Sequence, residues 1–107
     1  EASIAENGNA PMMLTAQEYE QHMKDLSPGW RIVNDKEIKR SFSFQSLEEE
    51  YDFLNRIAYV AEKTGHRPAM CIKNYMLEVT LLTPSIDGLS EKDFMMARKI
   101  DEMSLAA

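Results

Sequence analysis

The stretch that decides the fold is IKRSFSFQSLEEEYDFLNRIAYVAEKTG, residues 38–65. Its first seven residues alternate in polarity, with Ile38, Arg40, Phe42 and Phe44 on one face and Lys39, Ser41 and Ser43 on the other. This period of two predicts a β-strand. Because the faces differ in polarity, we expect one side of the sheet to be buried and the other to be wetter.

A long helix is predicted directly after this strand. Ser46 and Glu49 have the spacing of a capping box, and Gly65 stands where a left-handed residue ends a helix. Leu47, Tyr51, Leu54, Ala58 and Ala61 form a predicted buried stripe, and Phe53, Ile57 and Val60 widen it. We expect a core helix whose extra apolar width could serve an oligomer contact.

The rest of the chain supplies two more helices and three more strands. Thr15 and Glu18 form a capping box before the helical run AQEYEQHMKDL, and Ser90 with Asp93 opens a last helix. We expect the last helix to bury Phe94, Ala97, Ile100 and Met103. The strands are WRIV, AMCIKNY and LEVTLLT. The order α-β-β-α-β-β-α predicts an α+β fold, a four-stranded antiparallel sheet with helices packed on one face.

Length predicts one domain, which we place at residues 14–107. Residues 1–13 show no periodicity and are predicted to be a flexible N-terminal tail. Because the chain starts at Glu1, we expect that a preceding segment has been removed, so a targeting peptide would not be visible here.

Composition excludes several function classes. Eighteen acidic against twelve basic residues give a charge of −6, which argues against binding to nucleic acid. No apolar run approaches the ~20 residues of a membrane span. His22, His66 and Cys71 lie on different predicted elements, so no metal site is expected. The sequence contains no glycine-rich phosphate-binding loop, so no cofactor is predicted. Cys71 is expected to be a buried structural thiol, and His22 a surface or half-buried residue.

One group of residues could carry acid–base chemistry. His66 follows the helix-ending Gly65, in the kind of loop where functional groups often stand. With Glu62 and Asp93 nearby, its imidazole could exchange protons near neutral pH. A structural histidine is the alternative from spacing alone.

Three segments resemble the pterin-4a-carbinolamine dehydratase family. They are Gly29-Trp30, AEKTGHRP at 61–68 and LTPSIDGLSEKDF at 82–94, and the order of elements also matches. Enzymes of that family have a Glu-x-x-x-His-His-Pro signature, a third histidine after the fourth strand, and an aspartate early in the last helix. Glu62, His66, Pro68 and Asp93 match this pattern, and the resemblance implies that Glu62, His66 and Asp93 are catalytic.

The chain departs from the enzyme pattern at three positions. Arg67 replaces the second histidine and Pro84 the third, while Met70 stands where a tryptophan is expected. Arginine is always protonated and cannot act as a base. We therefore expect Arg67 and Pro68 to contact a ligand or partner rather than to transfer protons.

The missing histidines favour a non-catalytic branch of the family. The runs GWRIV and TPSIDGLSEKDFMMARKID look similar to pterin dehydratase-like RuBisCO assembly factors. This resemblance implies a chaperone with the RuBisCO large subunit as partner, located in the chloroplast stroma or otherwise in the cytoplasm. Lys73, Tyr75 and Glu78, on the third and fourth strands, are the candidate contacts.

Two alternatives remain open from the sequence. The first is a weakened 4a-hydroxytetrahydropterin dehydratase that binds a pterin. The second is a dimerisation cofactor of a transcription factor, the family's other role. In each case the resemblance implies a homo-oligomer, either a dimer or a dimer of dimers.

Overall fold

A computed structural model describes residues 12–106, so most of the predicted tail lies outside the described residues. The helices are α1 (Ala16–Met23), α2 (Leu47–Thr64) and α3 (Glu91–Ala106). The strands are β1 (Arg31–Val33), β2 (Glu37–Ser43), β3 (Ala69–Lys73) and β4 (Met76–Leu81). A short 3₁₀ helix, Pro84–Ile86, precedes α3. The predicted α+β order is confirmed.

The sheet is antiparallel throughout, with strand order β1-β2-β4-β3. In the central pair Ile38 lies opposite Leu81 and Phe42 opposite Leu77. These side chains, together with Val79, are all buried. Residues opposite each other in adjacent strands share a face, so one face of the sheet forms the core.

The helices close that face. Phe53 and Ile57 of α2 and Phe94 and Ile100 of α3 are all buried in the same hydrophobic cluster as the sheet residues. Trp30 joins this cluster, and its ring meets Phe42 edge-on at 6.3 Å between centroids. The predicted buried face of α3 is confirmed, with Met103 packed at its margin.

Capping hydrogen bonds explain where α1 and α2 begin. Thr15 and Glu18 form the full capping box of α1. The Ser46 side chain accepts from the Glu49 amide, but the Glu49 carboxylate accepts from Gln45 N rather than from Ser46 N. Half of the predicted second box is therefore formed. These caps satisfy backbone donors that the first turn of a helix leaves unpaired.

Two sequence predictions about burial are wrong. Leu47 and Tyr51 of the predicted α2 stripe are 45% and 46% exposed, because the buried face runs through Glu50, Phe53, Ile57 and Ala61 instead. Cys71 is exposed. It lies on the edge strand β3 opposite Glu78, on the sheet face that no helix covers.

Candidate active site

The candidate site lies where the C-terminal end of α2 meets the start of α3. Gly65 ends α2 with φ 74°, and its amide donates to Ala61 O at 2.9 Å. Glycine adopts this left-handed conformation without the steric cost that other residues have. The turn directs the next residue, His66, back toward the core, where it is buried.

His66 is held by a carboxylate. Its Nε2 lies 2.5 Å from Asp93 Oδ1, and Asp93 is fully buried. The other oxygen, Oδ2, accepts from Ser90 N at 3.0 Å and from Thr83 Oγ1 at 2.9 Å. Because Asp93 accepts all of these bonds, we assign the His66 proton on this side to Nε2. Nδ1 is then the ring nitrogen left to exchange a proton.

Thr83 and Ser90 complete the network. Their hydroxyl oxygens lie 2.6 Å apart, and since Thr83 donates to Asp93, Ser90 donates to Thr83. The loop between them is closed by Thr83 N donating to Gly88 O at 2.8 Å. The side chains of Thr83, Ser90 and Asp93 are all buried. We call the group His66, Thr83, Ser90 and Asp93 the dyad cluster.

The sequence predicted half of this cluster. It singled out His66 and Asp93, and it noted Ser90 only as a helix cap. The Ser90 to Asp93 spacing does signal the bond from Ser90 N to the Asp93 carboxylate. Thr83 gave no signal of its own, since only the folded loop brings it to Asp93.

The other predicted site residues lie around the cluster or away from it. Glu62 is exposed near the end of α2, and among the described contacts none joins it to His66 or Asp93. Arg67 and Pro84 are exposed, and Pro68 is half-buried. Met70 packs at the margin of the core. The proposed catalytic role of Glu62 stays a prediction.

The three predicted partner contacts lie on a different surface. Lys73 is exposed at the end of β3, and Glu78 pairs with Arg31 at 3.5 Å across the open face of the sheet. Tyr75 occupies the β3–β4 turn with φ 61° and is 45% exposed. The structure therefore does not bring them together with the dyad cluster, and their contact role stays a prediction.

A cavity of about 240 Å³ opens beside the dyad cluster. It is lined by the C-terminal end of α2 and one side of α3: Thr64, His66, Lys92, Met95, Met96 and Lys99. His66 is therefore both fixed by Asp93 and in contact with a space that a small molecule could enter. Within the described residues, no group of three or more histidine, cysteine or acidic side chains could hold a metal ion.

A family model for pterin 4 alpha carbinolamine dehydratase matches residues 12–103. The chain belongs to the pterin-4a-carbinolamine dehydratase family. A Rubrobacter xylanophilus protein provisionally named as such a dehydratase is 39% identical over 90 residues, 84% of this chain and 83% of that protein. An Alkaliphilus metalliredigens protein with the same name is 37% identical over 83% of this chain and 80% of its own length.

Two solved structures share the fold of this family member. A transcriptional coactivator/pterin dehydratase from Brucella melitensis superimposes with a TM-score of 0.80 at 34% identity, covering 85% of this chain and 97% of that one. A pterin dehydratase-like RuBisCO assembly factor of the alpha-carboxysome gives 0.59 at 22% identity, covering 69% and 87%. The second likeness shows the fold alone.

Proposed function

We propose that this protein is a 4a-hydroxytetrahydropterin dehydratase in which His66, fixed by Asp93, is the acid–base group. The observation that carries this proposal is the 2.5 Å contact between His66 Nε2 and Asp93 Oδ1 beside an open cavity. The family membership supplies the substrate class, and the dyad cluster supplies the chemistry.

The dehydration needs two proton transfers, and one imidazole can carry out both. Breaking the bond from C4a to the hydroxyl oxygen requires a proton on the departing oxygen, and the pterin ring must lose a proton to form its new double bond. Nδ1 of a protonated His66 can give the first proton, and the neutral imidazole can take the second. The proton taken from the pterin thus restores the protonated form of His66, and the two steps together release one water molecule.

The Asp93 carboxylate assists both steps. Its Oδ1 lies 2.5 Å from His66 Nε2 and accepts from it, so the imidazole keeps one orientation and one tautomer for both proton transfers. The bonds from Ser90 N and Thr83 Oγ1 keep that carboxylate from rotating away. Asp93 is thus a positioning residue in this scheme, and His66 is the catalytic residue.

The two replaced histidines, at Arg67 and Pro84, set the expected size of the activity. General acid–base groups contribute roughly 10²–10⁴-fold each, so a site with one histidine is expected to be slower than one with three. A protonated Arg67 can orient or bind a ligand, but it cannot replace a base. We therefore expect a measurable and modest acceleration.

The test is the dehydration rate of freshly generated 4a-hydroxytetrahydropterin with and without protein. We expect an acceleration over the uncatalysed reaction that is lost in His66→Ala and partly restored by added imidazole. His22→Gln is the matched control, because His22 lies on α1 against Phe94 and outside the dyad cluster. No acceleration at high protein concentration would contradict the proposal and leave a binding role.

The RuBisCO assembly role, which the sequence favoured, has weaker support. The relatives at 34–39% identity are named as pterin dehydratases, whereas the assembly factor matches at 22%. The predicted RuBisCO partner, chloroplast location and homo-oligomer therefore stay predictions. Within the part of the chain that the structure describes, no helix is long and apolar enough to cross a membrane.

A further inference from the structure

The rim of the His66 cavity carries two lysines that pair with no acidic residue in the part of the chain that the structure describes. Lys92 and Lys99 both line the cavity and are both exposed. Among the described residues, no carboxylate lies within ion-pair distance of either ammonium group, whereas Lys36 and Lys39 pair with Asp87 and Glu37. In a chain of net charge −6, this places unpaired positive charge beside the dyad cluster.

The two lysines bracket an apolar surface. They lie seven residues apart on α3, nearly two turns, so about 10 Å separates them along the helix axis. Met95 follows Lys92 by three residues and precedes Lys99 by four, so it lies between them on the same side. Its side chain is 50% exposed. The cavity thus combines an apolar wall, the buried His66 and two cations at its margin.

This combination selects a particular kind of molecule. An apolar wall favours a flat or apolar body, and an exposed methionine adapts to the face of such a body. Ammonium groups without partners attract an anion, and their charge acts most strongly on groups near the low-dielectric wall. A volume of about 240 Å³ is below the roughly 300–1,000 Å³ typical of pockets for drug-sized ligands. It therefore suits a small ring system whose substituent extends outward.

We propose that the pterin bound here carries an anionic ring substituent, which Lys92 and Lys99 hold while the ring lies against Met95 and His66. This inference rests on the proposed dehydratase function and names its substrate class. The anion is a carboxylate or a phosphate ester, since both have oxygens that accept hydrogen bonds from ammonium groups. Lys92 and Lys99 are then the residues that determine substrate specificity.

Equilibrium binding tests this without any turnover. The probes are the stable oxidised pterins 6-hydroxymethylpterin, which has a neutral substituent, pterin-6-carboxylate and 6-hydroxymethylpterin phosphate, each followed by its fluorescence. We expect at least one anionic probe to bind about three- to tenfold tighter than the neutral one at low salt, the range for exposed charge pairs. Added salt should reduce this preference. Comparison of the two anionic probes identifies which anion is preferred.

The variants are Lys92→Gln, Lys99→Gln and the double substitution. We expect each single variant to reduce the preference and the double variant to abolish it, while the affinity for the neutral probe stays within about twofold. Lys73→Gln is the matched control, because Lys73 is also exposed but lies on the sheet face away from the cavity. A preference that persists in the double variant overturns the inference.

A second measurement separates this inference from the proposed function. It compares kcat/KM for 4a-hydroxytetrahydropterins with neutral and anionic substituents. His66-dependent turnover with equal kcat/KM for both overturns the inference and leaves the dehydratase in place. If turnover is absent but the anionic probes bind in a lysine-dependent way, the anionic pterin site is supported and only the proposed catalysis is contradicted. Absence of turnover and of selective binding overturns both.

Discussion

His66 Nε2 and Asp93 Oδ1 lie 2.5 Å apart although 27 positions separate the two residues in sequence. The contact joins the residue after the α2 cap to the first turn of α3. Because Ser90 and Thr83 bind the second carboxylate oxygen, the orientation of the imidazole depends on the whole loop from residue 83 to residue 93.

Asp93→Asn is expected to lower kcat by up to about 10²–10⁴-fold, the range of acid–base catalysis, with a smaller change in KM. The amide no longer fixes the tautomer and the orientation of His66 as the carboxylate does. Steady-state dehydration kinetics measure both constants. Asp87→Asn is the control, since Asp87 is exposed with φ 48°, a conformation that asparagine tolerates. Equal kcat in Asp93→Asn and wild type would contradict the acid–base role.

Asp101→Ala is expected to destabilise the fold by about 3 kcal/mol, as breaking a buried ion pair does. Asp101 Oδ1 accepts from Trp30 Nε1 at 2.8 Å and from Arg40 Nη1 at 2.5 Å, and Oδ2 accepts from Ser27 N at 3.0 Å. Its loss leaves three donors without a partner. Urea unfolding measures the change.

The control for Asp101→Ala is Lys36→Ala, which removes the exposed pair with Asp87 at 3.2 Å. Exposed pairs contribute at most about 1 kcal/mol. A similar loss of unfolding free energy in the two variants would show that burial of Asp101 adds nothing to its pairing.

Glu50→Met is expected to raise the unfolding free energy by about 1–3 kcal/mol, the cost of leaving a buried polar group unsatisfied. Glu50 is fully buried in the first turn of α2, and neither of its carboxylate oxygens has a hydrogen-bond partner among the described residues. Methionine has similar volume and no polar atom to desolvate. Chemical unfolding of the variant and wild type gives the comparison.

Glu48→Gln is the control for Glu50→Met, because Glu48 is exposed in the same first turn. This substitution removes only the interaction of a first-turn charge with the helix dipole, and we expect it to lower the unfolding free energy by about 0.3–1 kcal/mol. A lower stability of Glu50→Met than of Glu48→Gln would mean that the Glu50 carboxylate has a favourable partner in solution.

Tyr19→Phe is expected to make stability less dependent on pH in the alkaline range. The hydrogen bond from Tyr19 OH to Asp35 Oδ1 at 2.9 Å, together with burial and the charges of Asp35 and Glu20, raises the pKa of Tyr19. The folded state therefore favours the protonated phenol. The stability that this bond contributes is complete below the unfolded-state pKa of about 10 and is lost as pH rises through the higher folded-state value.

The stability gap between wild type and Tyr19→Phe should thus be largest near neutral pH and should close above about pH 10. Unfolding curves at several pH values measure it, with Tyr51→Phe as the control for loss of an exposed hydroxyl. A difference in unfolding free energy that stays constant up to pH 11 would contradict a contribution from the hydrogen bond that the protonated Tyr19 phenol donates.

The sequence predicts the elements well because each has a local cause. Capping residues, Gly65 and the alternation in β2 act within a few positions, and the order of elements then restricts the architecture. Periodicity does not tell which side of α2 faces the sheet, since nine of its eighteen residues are apolar. The predicted stripe therefore includes Leu47 and Tyr51, which the structure exposes.

The site was only partly predictable for a related reason. Matching to the family pattern identified His66 and Asp93, whose pairing is a tertiary contact. Thr83, the Asp101 network and the two cavity lysines depend on segments far apart in sequence meeting in space, and no local pattern records such meetings. Cys71 is exposed because it lies on the sheet face that no helix covers, and the sequence does not say which face of β3 the helices cover.

The strand order β1-β2-β4-β3 has a consequence for how the chain folds during synthesis. β2 lies between β1 and β4, and its partner β4 emerges only after all of α2 and β3. Until then the edge of β2 that will pair with β4 is bare, and such edges recruit strands from other chains. Lys39 and Arg40 lie in the middle of that edge. Charged side chains on a strand edge disfavour pairing with other chains, so we expect both to limit aggregation of the nascent chain while β2 has no neighbour on that side.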